Sequence, residues 1–423
     1  MIFLSSQYSQ RYRLVQLWTI LLSFAISDNA ALQLGDEVHA QTAPPITSSG
    51  LNTHISEPIN LLDGKAQYNL TGGTRVGENL FHSFCKFNVP ASNIANFLNE
   101  TALPTKNIFG RITADTPSAI FGTLKTTGFG DASLFLMNPS GIVFGPNASL
   151  EIGGSVTFTT ASALKLAEAN GATGVFHTDP MSTSLLTSAP VTAFGFLGSN
   201  PAAIVIQGSA LSAAQGKAIS LIGGGQGFTY TNPDTGTTVS TPGSISVTSG
   251  TLTAMSGQIN IASVTSPGEL SAENITPTPG MTMGNINLSQ GTTLDVSGTL
   301  GNSAGTVLIR GGKLTVNDST ISANTVNTNG ATVAVDIQLT GDLSIMNNSA
   351  PAITAVTSGS GNSGKVHIQS ANLLTTSTPQ DFTLALVDTH TSGTGKAGEV
   401  SIQTGHFQVA AGSPIWMIDS GTQ

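Results

Sequence analysis

The chain has 423 residues, 23 acidic and 14 basic, with a formal net charge of −9. Charged residues make up 9% and aromatics 6%, while glycine reaches 48 and hydrophobic residues 39%, a mix unsuited to long helices or to a disordered chain. Acidity without a Lys/Arg cluster argues against nucleic acid or anionic lipid as partner, and one cysteine, Cys85, excludes an internal disulfide.

Arg11 and Arg13 precede an apolar run of 13 residues (14–26), well short of the ~20 that span a bilayer. Val38, His39 and Ala40 then offer a cleavage site before Gln41. The N-terminus therefore reads as a cleaved secretory signal of residues 1–40, and no integral membrane span is expected later. Asp28, Asp36 and Glu37 leave the exact cut open.

Three blocks follow: GENLFHSFCKFNV (77–89), NIFGRIT (107–113) and DASLFLMNPSGIVFGPNASLEIGGSVTFTTA (131–161). In the third, Asn138-Pro139-Ser140-Gly141 fits a type I turn. The asparagine bonds back to the main chain, proline presets φ, serine is tolerated, and glycine accepts the left-handed conformation. The flanks 134–137 and 142–144 are apolar on both faces, so both strands should be covered. Cys85 lies three residues from His82 with no third group to orient it, and reads as a small, partly buried thiol rather than a nucleophile. Residues 163–171 read as a helical turn ended by Asn-Gly, or as another loop. Residues 228–240 read as a hairpin standing off the main body.

From Gly216 onward a loose repeat appears: a glycine, an alternating strand, a small polar turn and a second short apolar strand. It starts at Gly216, Gly243, Gly257, Gly284 and Gly305, then at Gly364 and Gly398. Variable loops between constant strands predict a parallel β-solenoid, with Ile245, Val247, Ile259, Ile261, Ile286 and Leu288 inward and Ser, Asn, Gln or Thr outward. A narrow stacked core of small and branched residues, without prominent large aromatics, favours the solenoid over an antiparallel sandwich. Beyond Leu288 there is room for about six coils of ~22 residues. At SPIWMIDSGTQ (413–423) the last repeat reads as unfinished, so the chain is a short passenger or a truncated one.

A solenoid enzyme would stack paired carboxylates on one face. Asp295, Asp318, Asp336 and Asp342 sit at dissimilar places in their repeats and read as scattered, solvated groups. The seven histidines lack metal-ligand spacing, and His406 reads as a surface residue. Residues 359–366 mimic a phosphate-binding loop, but Val366 replaces the required Ser/Thr and a strand follows instead of a helix. Residues 223–231 resemble a calcium-binding nonapeptide without its aspartate. No catalysis, cofactor or metal is expected; a secreted β-helical carbohydrate-active enzyme is the alternative.

The blocks 77–89, 107–113 and 131–161, with FGFLGSNPAAIVIQGS (194–209), together resemble the N-terminal secretion domain of filamentous haemagglutinin-type exoproteins of two-partner secretion, also called the haemagglutination activity domain. The resemblance covers roughly residues 48–200. Ser140 stands where the family's NPNGI motif has its middle asparagine, the companion NPNL motif has no clear counterpart, and Cys85 takes a position where serine is common. The resemblance implies an all-β, right-handed, single-stranded parallel β-helix with an N-terminal cap, here carrying the extra-helical hairpin. It implies export through the periplasm by an Omp85-type outer-membrane transporter, whose periplasmic polypeptide-transport-associated domains bind the extended chain. The secretion motif carried over comprises Asn79, Leu80, Phe81, His82, Ser83 and Phe84, with Asn138, Pro139, Ser140, Gly141 and Ile142. The expected product is a secreted or cell-surface monomer acting as an adhesin toward a host or neighbour-cell glycan or protein. The domain plan is a signal at 1–40, a secretion domain at 41–290 with its motif-bearing core at 77–165, and β-helix repeats at 291–423.

Overall fold

The computed structural model describes residues 44–168, 171, 173–299, 301–346, 351–376 and 386–410. The signal segment 1–40 and the terminal segment 411–423 lie outside them. The compact unit beginning at Pro45 is a parallel β-helix built from three strand ladders.

The first ladder stacks Asn79–Phe87, Asn107–Ile112, Ser133–Met137, Val156–Thr159, Ala218–Gly224, Gln258–Val264, Thr306–Gly311, Val333–Leu339, Lys365–Thr376 and Val400–Val409, all in parallel register. The second runs from Ser118–Ile120 and Ile142–Phe144 through Ile204–Gln207, Ile245–Thr248, Ile286–Ser289, Leu314–Asn317 and Leu343–Met346. The third face is carried by two parallel sheets, one beginning Ala66–Gly72, Asn93–Leu98 and Thr123–Thr127, the other Ala210–Ser212, Thr251–Thr253 and Thr293–Asp295. Period-two alternation turns one side of each strand inward, where Leu134, Val156, Ile219, Ile259 and Val307 stack in register and are fully buried. Each such side chain stabilises the fold by about 1.5–3 kcal/mol relative to exposure. The predicted inward set (Ile245, Val247, Ile259, Ile261, Ile286 and Leu288) is buried throughout.

Register explains the irregular glycine spacing. Asn79 pairs with Asn107 and Leu134 with Val156, steps of 28 and 22 residues. The step from Val156 to Ile219 is 63, and from Ile259 to Val307 it is 48. The two long coils contain strands that leave the helix: Ala163–Ala167, Thr173–His177 and Val191–Phe196 in one, Gly268–Ser271 in the other. These join as an antiparallel sheet. The hairpin Thr229–Thr231 with Thr238–Ser240 forms as expected. The open edge of the first coil is covered by antiparallel pairing of Ile46–Gly50 and Thr74–Val76 with Asn79–Phe87, which removes a template for edge-to-edge association.

Four expectations are corrected. Residues 163–167 form a strand, because Leu164 and Leu166 are buried while Lys165 between them is exposed, a period of two. Cys85 is exposed: pairing passes from Ser48↔Phe84 to Thr47↔Lys86, leaving Cys85 as the extra residue of a β-bulge. The solenoid does hold large aromatics, with Phe81, Phe84, Phe87, Phe97, Phe109, Phe144, Phe158, Phe176 and Phe196 fully buried, none of them beyond residue 196. After Leu288, the first ladder carries four strands among the described residues, and their register steps are 28, 31 and 34, longer than ~22. The added length lies in corners that build their own short pairing, Thr325–Val326 with Thr357–Ser358.

Candidate functional site: the motif coils

The turn at residues 138–141 links a first-ladder strand to a second-ladder strand. Its Gly141 N–H donates to Asn138 O at 3.1 Å, closing the turn, and Ser140 N–H donates to Asn138 Oδ1 at 3.0 Å. The Asn138 amide nitrogen reaches into the preceding coil and donates to Thr116 O at 3.0 Å and Ser118 Oγ at 2.9 Å. Its main-chain N–H donates to Thr159 O of the following coil at 2.9 Å, and Ser118 N–H donates to Gly141 O at 3.0 Å. Asn138 is completely buried, so it serves as a staple through three consecutive coils. Ser140 contributes its main-chain N–H, which any residue but proline supplies, so serine in place of asparagine keeps this turn. Ile142 fills the core between its register partners Ser118 and Ile204.

Gly141 holds φ +114°, and a Cβ there would stand 2.5 Å from the Phe228 ring of the extra-helical hairpin. Pro139 and Ser140 are half-buried and form one wall of a cleft of about 380 Å³, with Ser162, His177, Asp179 and Leu197 on the others. Hydrogen bonds from Met181 N–H and Ser182 Oγ hold the Asp179 carboxyl below the usual carboxylate range.

The first sequence block, residues 77–89, forms the strand Asn79–Phe87 and sorts its side chains by parity. Leu80 and Phe84 enter the main core, and His82 stacks beside Phe84 at 6.0 Å and edge-on to Phe97 at 5.5 Å. Phe81 points outward, beneath the extra-helical sheet, stacked on Phe109 at 4.8 Å and edge-on to Phe176 at 5.1 Å. The Asn79 side-chain amide donates to Thr187 O and Ala189 O at 2.9 and 2.8 Å, and its Oδ1 accepts from Asn107 at 2.9 Å. Ser83 Oγ lies 2.8 Å from Ser49 Oγ and accepts from Arg111 Nε at 2.8 Å. The Arg111 guanidinium also lies over Phe176 and donates to His177 O at 2.7 Å.

His82 is 1% exposed, and its Nδ1 lies 3.3 Å from Thr53 Oγ1, while Nε2 has no partner. Burial, with the nearby Arg75 charge adding to it, lowers its pKa from 6.5 to about 4. A depressed histidine value means that the unfolded chain binds the proton first, so this stability is complete above about pH 6.5 and is lost as pH falls toward 4. Each pH unit in that window costs about 1.4 kcal/mol. Urea unfolding is therefore expected to show a loss of about 3 kcal/mol between pH 7 and 4 that His82→Phe abolishes; an identical slope in the variant would assign the loss elsewhere.

Sequence reading missed the outer covering of these coils. Phe176, Phe194 and Phe196 mark the extra-helical sheet, and the alternation of Phe194 with Phe196 was the available signal. The four aspartates singled out earlier do not converge. Asp336 pairs with Arg310 at 2.6 Å, Asp342 accepts from Asn372 at 2.7 Å, and Asp295 accepts from Ser297 N–H at 2.9 Å. Lys365, in the sequence that mimics a phosphate-binding loop, opens the strand Lys365–Thr376. Among the described residues, no group of three or more His, Cys, Asp or Glu could hold a metal ion, and no helix is long and apolar enough to cross a membrane.

Comparison with known proteins gives a direct family match. Residues 45–309 match the family model described as the TPS secretion domain. No curated protein matches the chain. Among solved structures, the secretion domain of filamentous hemagglutinin is similar at 15% identity and TM-score 0.32, covering 87% of this chain and 100% of that one. The HMW1 secretion domain from Haemophilus influenzae is similar at 15% identity and TM-score 0.36, covering 86% of this chain and 100% of that one. The domain match spans more than half of the chain and encloses both sequence motifs, so the chain belongs to the TPS secretion-domain family, the exported partners of two-partner secretion.

Proposed function

We propose that this chain is exported from the periplasm by a cognate Omp85-type outer-membrane transporter and acts outside the cell as an adhesin. The observation that carries the export reading is the secretion-domain match over residues 45–309, which contains both motif blocks and the coils they build. In this reading the signal is residues 1–40, the secretion domain is 41–290, and the repeats of 291–423 extend it. The transporter's periplasmic domains take the extended chain by strand addition, main-chain hydrogen bonds giving affinity. Residues 79–84 and 138–142 carry export competence by forming the first coils on the far side. Each finished coil offers a paired edge to the next, so folding outside opposes return. Attachment to a surface glycan or protein suits stacked β-helix coils with polar outward side chains, such as Gln369 and Gln403 in register on the last described coils.

Fractionating cells that carry or lack the transporter gene tests the export reading. Folded chain is expected in the medium or on the surface only when the transporter is present; equal release without it would refute the proposal.

A further inference from the structure

The motif coils depend on chain that comes much later. The outward faces of Phe81 and Phe109 are covered by Phe176 of the extra-helical sheet, 5.1 and 6.2 Å away between ring centres, in one buried cluster with Phe194 and Phe196. Asn79 is held by the carbonyls of Thr187 and Ala189, and a Cβ on Gly77 would stand 2.7 Å from Ser188. On the second ladder, the outward faces of Ala119, Phe121 and Val143 are covered by Tyr230, with Phe228 and Val239 packed alongside. Phe228 closes over Gly141, and Asp234 at the hairpin tip accepts from Ala91 N–H at 2.8 Å. Residues 79–161 therefore supply strands that are apolar on both sides, but most of the chain that covers their outer sides lies at 163–241, with Leu270 and Ile275 added later.

We infer that the extra-helical strands of residues 163–196 and the hairpin are two clasps, and that the motif coils become a stable unit only when residues through about 241 have joined them. For a chain that emerges N-terminus first, this sets a minimum length below which the first coils stay open and extended. The inference goes beyond the export reading, because it holds for the isolated chain refolding in solution. The physical ground is that an apolar strand face left in water gives up most of its burial contribution, so a strand pair covered on one side only is marginal. Long-range closure also has to overcome loop entropy before its contacts form.

Pulse-labelled hydrogen exchange during refolding of the full chain tests it. Leu134 N–H and Asn138 N–H bond to Ser155 O and Thr159 O, wholly inside the early coils. Ala91 N–H and Thr241 N–H bond to Asp234 and to Phe228 O, and report the hairpin clasp. The inference expects Leu134 and Asn138 to gain protection together with Ala91 and Thr241, and not before. Full protection of Leu134 and Asn138 ahead of the hairpin amides would overturn it. In the folded state, Phe228→Ala is expected to speed exchange at Leu134 and Asn138 by about tenfold or more, with Val335 and Ile337 of the distant coils unchanged; an effect confined to the hairpin would also overturn it.

Discussion

Gly141→Val will destabilise the folded chain by about 4 kcal/mol, the largest single effect expected in the secretion motif. Two independent costs meet at this position. At φ +114° a β-branched residue is strained by about 1–3 kcal/mol. Its Cβ would also stand 2.5 Å from the ring of Phe228, so the hairpin must shift or the ring must leave Gly141, at a similar cost. Equilibrium urea unfolding of the purified chain measures the sum, and a change under about 1 kcal/mol would show that neither cost is real. Export adds a second reading. If the turn acts through folding, Gly141→Val lowers secretion and slows refolding together. If the transporter reads the sequence itself, secretion falls while refolding in vitro keeps its parental rate.

Asn138→Asp is the second large effect, about 3 kcal/mol, produced by one change of amide to carboxylate. The shape is preserved and Oδ1 still accepts from Ser140 N–H. The two donated bonds, to Thr116 O and Ser118 Oγ, are lost, and a charge is placed in a completely buried site facing a carbonyl oxygen. Burial raises the pKa of such an aspartate in the folded state, so the deficit relative to the parent at the same pH should shrink as the pH falls toward the unfolded value near 4. Asn138→Ala makes a useful companion. It leaves Thr116 O unpaired without adding a charge, and its deficit should be independent of pH. Equal pH profiles for the two variants would contradict this account of Asn138.

Much of the architecture was legible because a solenoid repeats its constraints. The alternation at Ile245/Val247 and Ile259/Ile261 marks strands with one buried side, and the polar turns between them mark corners, whatever the loop length. The motif turn was legible too, since Asn, Pro and Gly each have a distinct reason to stand where they do. What could not be read was set by long-range contact. That Asn138 staples the coil before it depends on Thr116 and Ser118 lying beneath it, a consequence of a 22- to 28-residue register that no local pattern encodes. Residues 163–171 read as a helical turn ended by Asn-Gly, or as another loop; over 163–167 a strand wins through burial of Leu164 and Leu166 in the cluster that holds Phe176 and Phe194. Cys85 reads as a partly buried thiol within an apolar block, and its exposure follows from a bulge opposite Thr47 and Ser48 that pairing with the N-terminal strand imposes. Aromatic residues are only 6% of the chain, but its phenylalanines are dense in the first coils, so an average composition concealed the aromatic core beneath the two clasps.

The most direct test of export through the motif coils is to follow the parent chain and Asn138→Asp in cells with and without the transporter, assaying periplasm and medium separately. The parent should reach the medium only with the transporter, and Asn138→Asp should remain in the periplasm in both backgrounds. Undiminished release of Asn138→Asp, despite its measured loss of stability, would contradict the assignment of export competence to this turn.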